Sequence, residues 1–196
     1  MTKGEETKRT ILDHAAKLST QIGLEGLSIG RLAEDLGLSK SGLFAHFASK
    51  EALQLQTLDF AAERFVETVV RPAMAVARGE KRVRALIERW IEWPKASGFP
   101  GGCFFVSVSA EYDDRHGPIR DRIAQLQRDW LATVANTVRS AIAEGDFKND
   151  VDPEQFAFEL YGHMLVGHLG IRLLDDKKSG SRARKAFEAL LERSRS

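Results

Sequence analysis

Between Ser39 and Lys50 the chain reads SKSGLFAHFASK, a run that offers hydroxyls, amines and one imidazole separated by small residues. Ser39, Lys40, Ser41, His46 and Lys50, with Ser28 upstream, are hydrogen-bond donors, and Gly42 and Ala45 leave room for a close approach. That set suits a partner that presents phosphate oxygens and base edges: Lys40 is able to reach guanine acceptors and Ala45 to touch a thymine methyl. Phe44 interrupts the polar series and reads either as a contact residue or as a packed core aromatic.

Two short helices must position these groups. Ser28 is a good N-cap, and Ile29, Leu32, Ala33 and Leu36 follow it at helical spacing on one face. Gly37 stops that helix, because a glycine takes the positive φ of a tight C-terminal turn, and Leu38 is expected to fold back onto it. Ser39 then caps a second helix, Lys40 to Phe47. It turns Leu43 and Phe47 inward as an i, i+4 pair and leaves Lys40, Ser41, Gly42, Ala45 and His46 outward. Two helices bent about one glycine, with small Ala33 four positions before it, match the helix-turn-helix pattern, whose second helix enters a DNA major groove.

The run resembles the DNA-binding half of the TetR (tetracycline-repressor-type) transcriptional regulators. Ser28, Leu32, Ala33, Gly37, Leu38, Ser39, Gly42, Leu43, Phe44, His46, Phe47, Ser49, Lys50, Glu51 and Leu53 fall in the places of that family's pattern. The resemblance implies an all-α fold: an N-terminal three-helix helix-turn-helix domain, residues 1–47, and a C-terminal helical ligand-binding and dimerisation domain, residues 48–196. It implies a sequence-specific regulator of transcription and no enzyme, a repressor released from a palindromic operator in double-stranded DNA by a small-molecule inducer. It implies a homodimer through the last two helices and a phosphate contact from Lys50. Many family members carry tyrosine where this chain has Phe44, so the phosphate bond of that hydroxyl is missing and the load falls on His46, Lys50 and Ser28.

Composition fits a globular chain. With 196 residues, 43% hydrophobic and 29% charged, it is long enough for one large or two small cores. A net charge of +1 gives no bulk basic surface, and a helix-turn-helix dimer needs only a local one. The apolar runs are too short for a bilayer helix, and the polar start MTKGEETKRT has no secretory h-region, so the expected location is the cytoplasm. One cysteine, Cys103, excludes an internal disulfide and a cysteine metal framework; it reads as a small buried hydrophobe or a sensing thiol.

The rest of the chain reads as helices. Residues 5–23 place Ile11, Ala15, Leu18 and Ile22 on one face, and the family resemblance implies that this helix touches the DNA backbone through its N-terminal residues, with Lys3 and Lys8 as the candidates. Ser49 caps a long helix that runs to Pro72, one rod from the DNA end into the rest of the protein. Val83 to Trp93 is amphipathic and ends at Pro94. After the loop SGFPGG, the alternation in CFFVSVSAEYDD fits a strand, but no second strand exists to pair with it, so helix is preferred. Pro118 begins another helix, Asp152-Pro153 begins the next, to Leu174, and Arg182 to Arg193 forms the last. Gly162, Gly167 and Gly170 inside the penultimate helix each cost about 1 kcal/mol against alanine, which a close helix or a ligand would offset.

Trp90, Trp93, Phe104, Phe105, Tyr112, Trp130, Phe158, Tyr161 and His163 are the candidates for lining an apolar inducer pocket, and each is also explicable as core. No cofactor is expected. No metal is expected either: His163 and His168 do not share a helix face well, and no acidic or cysteine partner stands at ligand spacing. An enzyme is disfavoured by the lack of a phosphate loop, a nucleophile elbow or His-Glu-x-x-His; Ser107, Ser109, Asp113 and His116 have nothing to fix them as a hydrolytic set. An architectural DNA-binding protein without a ligand is disfavoured by the aromatic-rich C-terminal half.

Overall fold

The computed structural model describes residues 3–196, with the side chains from Gly4 onward; the contact expected of the Lys3 side chain lies outside the described residues. Among the described residues the regular elements are helical, apart from an isolated bridge between Phe147 and Arg195. The chain packs as two units, one running up to Val66 and taking in Pro94–Leu126, the other made of Glu67–Trp93 and Gln127–Ser196. Packing therefore divides the chain elsewhere than after residue 47.

In the first unit, helix α1 (Lys3–Ile22) packs on α4 (Lys50–Phe65) and α7 (Phe104–Tyr112), and α2 (Ile29–Leu36) packs on α3 (Lys40–His46). Ile11, Ala15, Leu24, Leu27, Leu32, Leu43, Phe47 and Leu53 make a continuous buried core. Asp13 on α1 holds both Lys17 and Arg64, the latter from α4, and Arg64 also lies 5.5 Å over the Phe99 ring. The loop before α7 docks closely: Gly101 N–H donates to Thr20 Oγ1 at 2.9 Å, and a Cβ at Gly101 would stand 1.7 Å from the Thr20 carbonyl oxygen.

Helix α4 is followed by a π-helical turn over Val66–Val70 and a short α5 (Arg71–Met74), so the expected uniform rod is interrupted. Pro72 supplies the reason. It has no N–H to donate and its ring crowds the carbonyl four residues back, and a wider turn just before it accommodates both. The chain passes from one unit to the other within this turn.

The second unit holds α6 (Glu80–Ala96) up to Trp93, α8 (Pro118–Ala143) from Gln127 onward, α9 (Pro153–Arg172) and α10 (Ser179–Ser194), with α9 and α10 paired. Helix α6 carries Pro94 and continues to Ala96 instead of ending there: in a last turn, proline removes only its own hydrogen bond. Helix α10 begins at Ser179, earlier than Arg182, and α9 ends at Arg172. Two of the three α9 glycines are explained by α10, since a Cβ at Gly167 would stand 3.1 Å from the Ala183 methyl and one at Gly170 1.9 Å from Ser179 Oγ. Gly162 has open space instead. Helix α7 is helical as preferred over a strand, and no described helix is long and apolar enough to cross a membrane.

Candidate nucleic-acid interface

Three serines set the local frame. Ser28 Oγ accepts from Arg31 N–H at 3.2 Å, Ser39 Oγ from Gly42 N–H at 3.1 Å and Ser49 Oγ from Ala52 N–H at 3.0 Å, so α2, α3 and α4 each begin on a serine cap. Between the first two, Gly37 takes φ 61°, and the N–H groups of Gly37 and Leu38 return to the Glu34 and Ala33 carbonyls. The Leu38 backbone folds back as expected, but its side chain does not: it is 44% exposed.

Helix α3 buries Leu43, with Phe47 fully buried just past its end, and leaves Lys40, Ser41, Gly42, Phe44 and Ala45 exposed, with His46 half-buried. Phe44 is 54% exposed, so it belongs to the outer face and not to the core. The Lys40 stem crosses Gly30, where a Cβ would meet its Cε at 3.5 Å. The stem thus passes along α2, and among the described residues the Lys40 amine is in no ion pair. A Cβ at Gly42 would press on Ser39 Oγ at 3.1 Å. Lys8 lies 5.8 Å over the Phe47 ring.

Lys50, in the first turn of α4, is already engaged: its Nζ donates to Glu25 Oε1 at 2.6 Å. Glu25 Oε2 accepts from Tyr112 Oη at 3.0 Å, and Arg115 stands 3.8 Å away. Buried Gln54 donates to the Leu24 carbonyl at 2.7 Å and to Tyr112 Oη at 3.3 Å. Glu111 closes the arrangement, its two carboxylate oxygens accepting from Leu24 N–H and Glu25 N–H at 2.7 Å each. Gly23 permits this approach, with φ 79° and a would-be Cβ 2.7 Å from Glu111 Oε1. The Lys50 hydrogen bond, with those of Tyr112 and Gln54, holds the Glu25 carboxyl below its ordinary range. Burial first, and then the Glu25 carboxylate, push the Tyr112 hydroxyl up, so it stays a protonated donor. This cluster was not expected from the sequence: residues 24 and 111 lie far apart in the chain, and no spacing rule links them.

Two family profiles match the chain: bacterial regulatory proteins of the tetR family over residues 11–57, and the tetracyclin repressor-like C-terminal domain over residues 79–187. The chain belongs to the TetR family. As a TetR-family chain it is a DNA-binding regulator and not an enzyme, and the proteins it matches are regulators. The HTH-type transcriptional regulator SrpR of Pseudomonas putida is 20% identical over 177 residues, 89% of this chain and 80% of that protein. A TetR transcriptional regulator from Chloroflexus aurantiacus has a solved structure 26% identical to this chain, covering 98% of it and 96% of the other, with a TM-score of 0.83. AibR, solved in complex with isovaleryl coenzyme A and operator DNA, shares the fold at 23% identity, 95% and 98% coverage and a TM-score of 0.72.

The nine aromatic and histidine candidates of this TetR-family chain are distributed over both units. Phe104 and Phe105 sit in the first, edge to face at 5.4 Å, with Phe65 edge-on to Phe105 at 5.6 Å; Tyr112 belongs to the Glu25 cluster. In the second, Trp90 meets Trp130 at 5.0 Å and stacks on Tyr161 at 5.8 Å and 9°, and Tyr161 Oη donates to Gln127 at 2.9 Å. Trp93 is fully buried. His163 is half-buried with no partner at Nδ1, and no metal-binding group occurs among the described residues. Phe158 is 73% exposed, at the edge of an open groove of about 550 Å³ between α8 and α9, lined by Leu131, Ala132, Ala135, Tyr161, Gly162 and Leu165 among others. Of the nine, only Phe158 and Tyr161 line that groove.

Proposed function

We propose that the chain is a homodimeric transcriptional repressor that leaves a palindromic operator when a small-molecule inducer binds. The observation that carries the DNA reading is α3 itself. Its core side is closed by Leu43 and Phe47, and its other side presents Lys40, Ser41, Gly42, Phe44 and Ala45. In this reading Lys40 and Ala45 meet base edges, Phe44 packs on thymine methyls or sugars, and Ser28, Ser39, Ser41, His46 and Lys50 meet the backbone. The cap hydroxyl of Ser28 uses an oxygen lone pair internally and keeps a proton to donate, while Ser39 and Ser41 Oγ lie 3.2 Å apart, so one donates to the other and the second keeps its proton. Residues 1–47, joined by Lys50 at the start of α4, read DNA, and the rest of residues 48–196 sense the inducer and dimerise.

A dimer is supported by α9, which exposes Phe158, Leu165, Val166 and Leu169 at helical spacing, with Leu173 just past its end, a stripe that a monomer would leave wet. Helix α10, whose Phe187, Leu190 and Leu191 are buried, adds charged side chains beside it. A two-fold pairing on the last two helices sets two reading helices about 34–36 Å apart, one turn of DNA. AibR, solved with an acyl coenzyme A and operator DNA, supports reading this chain as a regulator that takes both DNA and a small molecule. Of the nine aromatic and histidine candidates, we place the inducer against those of the second unit, at the cluster of Trp90, Trp130 and Tyr161. The inducer would favour a conformer whose reading helices no longer match the operator spacing, to the extent that it binds that conformer more tightly.

Selection of bound sequences from a random duplex pool by the purified protein tests the reading. A palindrome with half-sites about one turn apart supports it; sequences without two-fold symmetry contradict it.

A further inference from the structure

Lys50 is placed to meet a DNA phosphate, yet Glu25 already holds it. The lysine opens α4 directly after its N-cap Ser49, a few residues past the reading helix, and a helix N-terminus favours an anion there. Its amine nevertheless ends 2.6 Å from Glu25 Oε1. Both side chains are accessible, Lys50 at 41% and Glu25 at 46%, and an exposed pair of this kind is weak enough for a duplex phosphate to displace. Glu25 would not be stranded by the exchange, because Tyr112 Oη donates to its other oxygen and Arg115 lies 3.8 Å away. Nor is Glu25 free to follow the amine: the Glu111 carboxylate grips the Leu24 and Glu25 N–H groups, and Gln54 holds the Leu24 carbonyl.

We propose that Glu25 is a latch on Lys50, an internal anion that occupies the amine until a DNA phosphate replaces it and so limits the strength and salt dependence of DNA binding. The proposal rests on the reading that Lys50 contacts the backbone. The geometry makes Glu25 a stand-in for phosphate: a carboxylate anchored on a rigid turn, facing the amine at hydrogen-bond distance, with its charge compensated once the amine departs. Tyr112 and Glu111 are positioning residues for the latch, and both belong to α7.

The test is fluorescence anisotropy of a labelled random-sequence duplex of about 30 base pairs, titrated with full-length wild type, Glu25→Gln, Lys50→Ala and the double variant at two salt concentrations. Glutamine keeps the shape of Glu25 and an acceptor for Tyr112, so a thermal melt unchanged within a few degrees shows an intact fold. The latch predicts that Glu25→Gln binds roughly threefold more tightly per subunit at low salt, with a salt slope steeper by up to about 0.9 per subunit. It also predicts that Lys50→Ala abolishes that gain. A gain of equal size in the Lys50→Ala background would mean that removing any negative charge suffices, and would overturn the latch. Glu25→Gln binding like wild type while the double variant binds more weakly would leave the Lys50 contact standing and remove the latch. Glu25→Gln and the double variant binding equally well would instead refute the Lys50 contact itself.

Discussion

Glu111→Ala examines how the helix-turn-helix is held to its support. The wild-type carboxylate accepts two backbone N–H groups at 2.7 Å, one from fully buried Leu24 and one from exposed Glu25. Hydrogen bonds to a charged group contribute about 1.5–3 kcal/mol each. Water can replace the carboxylate at Glu25 but reaches the Leu24 N–H poorly, so the Leu24 bond counts nearly in full and the Glu25 bond for a fraction. The expected loss is about 2–3 kcal/mol, which for a chain of this length lowers Tm by roughly 5–10 °C. Differential scanning fluorimetry on wild type, Glu111→Ala and Glu111→Gln measures it. The glutamine retains one acceptor and should fall between the other two. Glu111→Ala melting within about 1 °C of wild type would refute the reasoning, because it would mean that solvent satisfies the turn as well as the carboxylate does.

Other substitutions probe other links of the chain from packing to DNA. Gly170→Ala drives a methyl into Ser179 and should destabilise the α9–α10 pair, whereas Gly162→Ala meets open space and should leave the fold of one protomer intact while weakening dimerisation; sedimentation at several concentrations separates the two, and an unchanged dimer for Gly162→Ala would place the partner elsewhere. Glu80 lies between Arg195 and Arg84, and hydrogen bonding to Arg195, then to Arg84, holds its carboxyl below the ordinary range. A depressed carboxyl stabilises the fold above its unfolded value and loses that contribution as pH falls through its folded one, so urea stability should be level near neutrality and decline below about pH 4.5, with a shallower decline in Glu80→Gln. Lys40→Ala should relax the preference at one base position in a binding selection without flattening the salt dependence as much as Lys50→Ala does; an unchanged preference would remove Lys40 from the reading face.

Much of the reading unit was legible because its signals are local. Ser28, Ser39 and Ser49 cap through their own side chains, Gly37 takes the positive φ its position called for, and Leu43 with Phe47 closes the inner side within one turn. Helix α7 was legible through the absence of a partner strand more than through its own pattern, which alternates like one. What depends on contacts between distant residues was not. The π turn at Val66–Val70 is a shift in hydrogen-bond register that leaves no mark on apolar spacing, and Pro94 marks a helix end only when no further turn follows it. Aromatic content could nominate Trp90, Phe104 and Phe158 together, but their neighbours come from other helices. Trp90 stacks on Tyr161, Phe104 packs on Phe105, and Phe158 stays exposed. The Lys50 position was readable, while its engagement by Glu25 needed the fold.

The central claim is that α3 reads DNA as one half of a two-fold pair. Hydroxyl-radical footprinting on a duplex recovered by selection tests it most directly, with wild type beside a Ser41→Ala/Lys40→Ala variant. The account predicts two protected patches about one helical turn apart on one side of the duplex, both lost in the variant while its thermal melt is unchanged. Protection without that spacing, or an identical footprint from the variant, would contradict it.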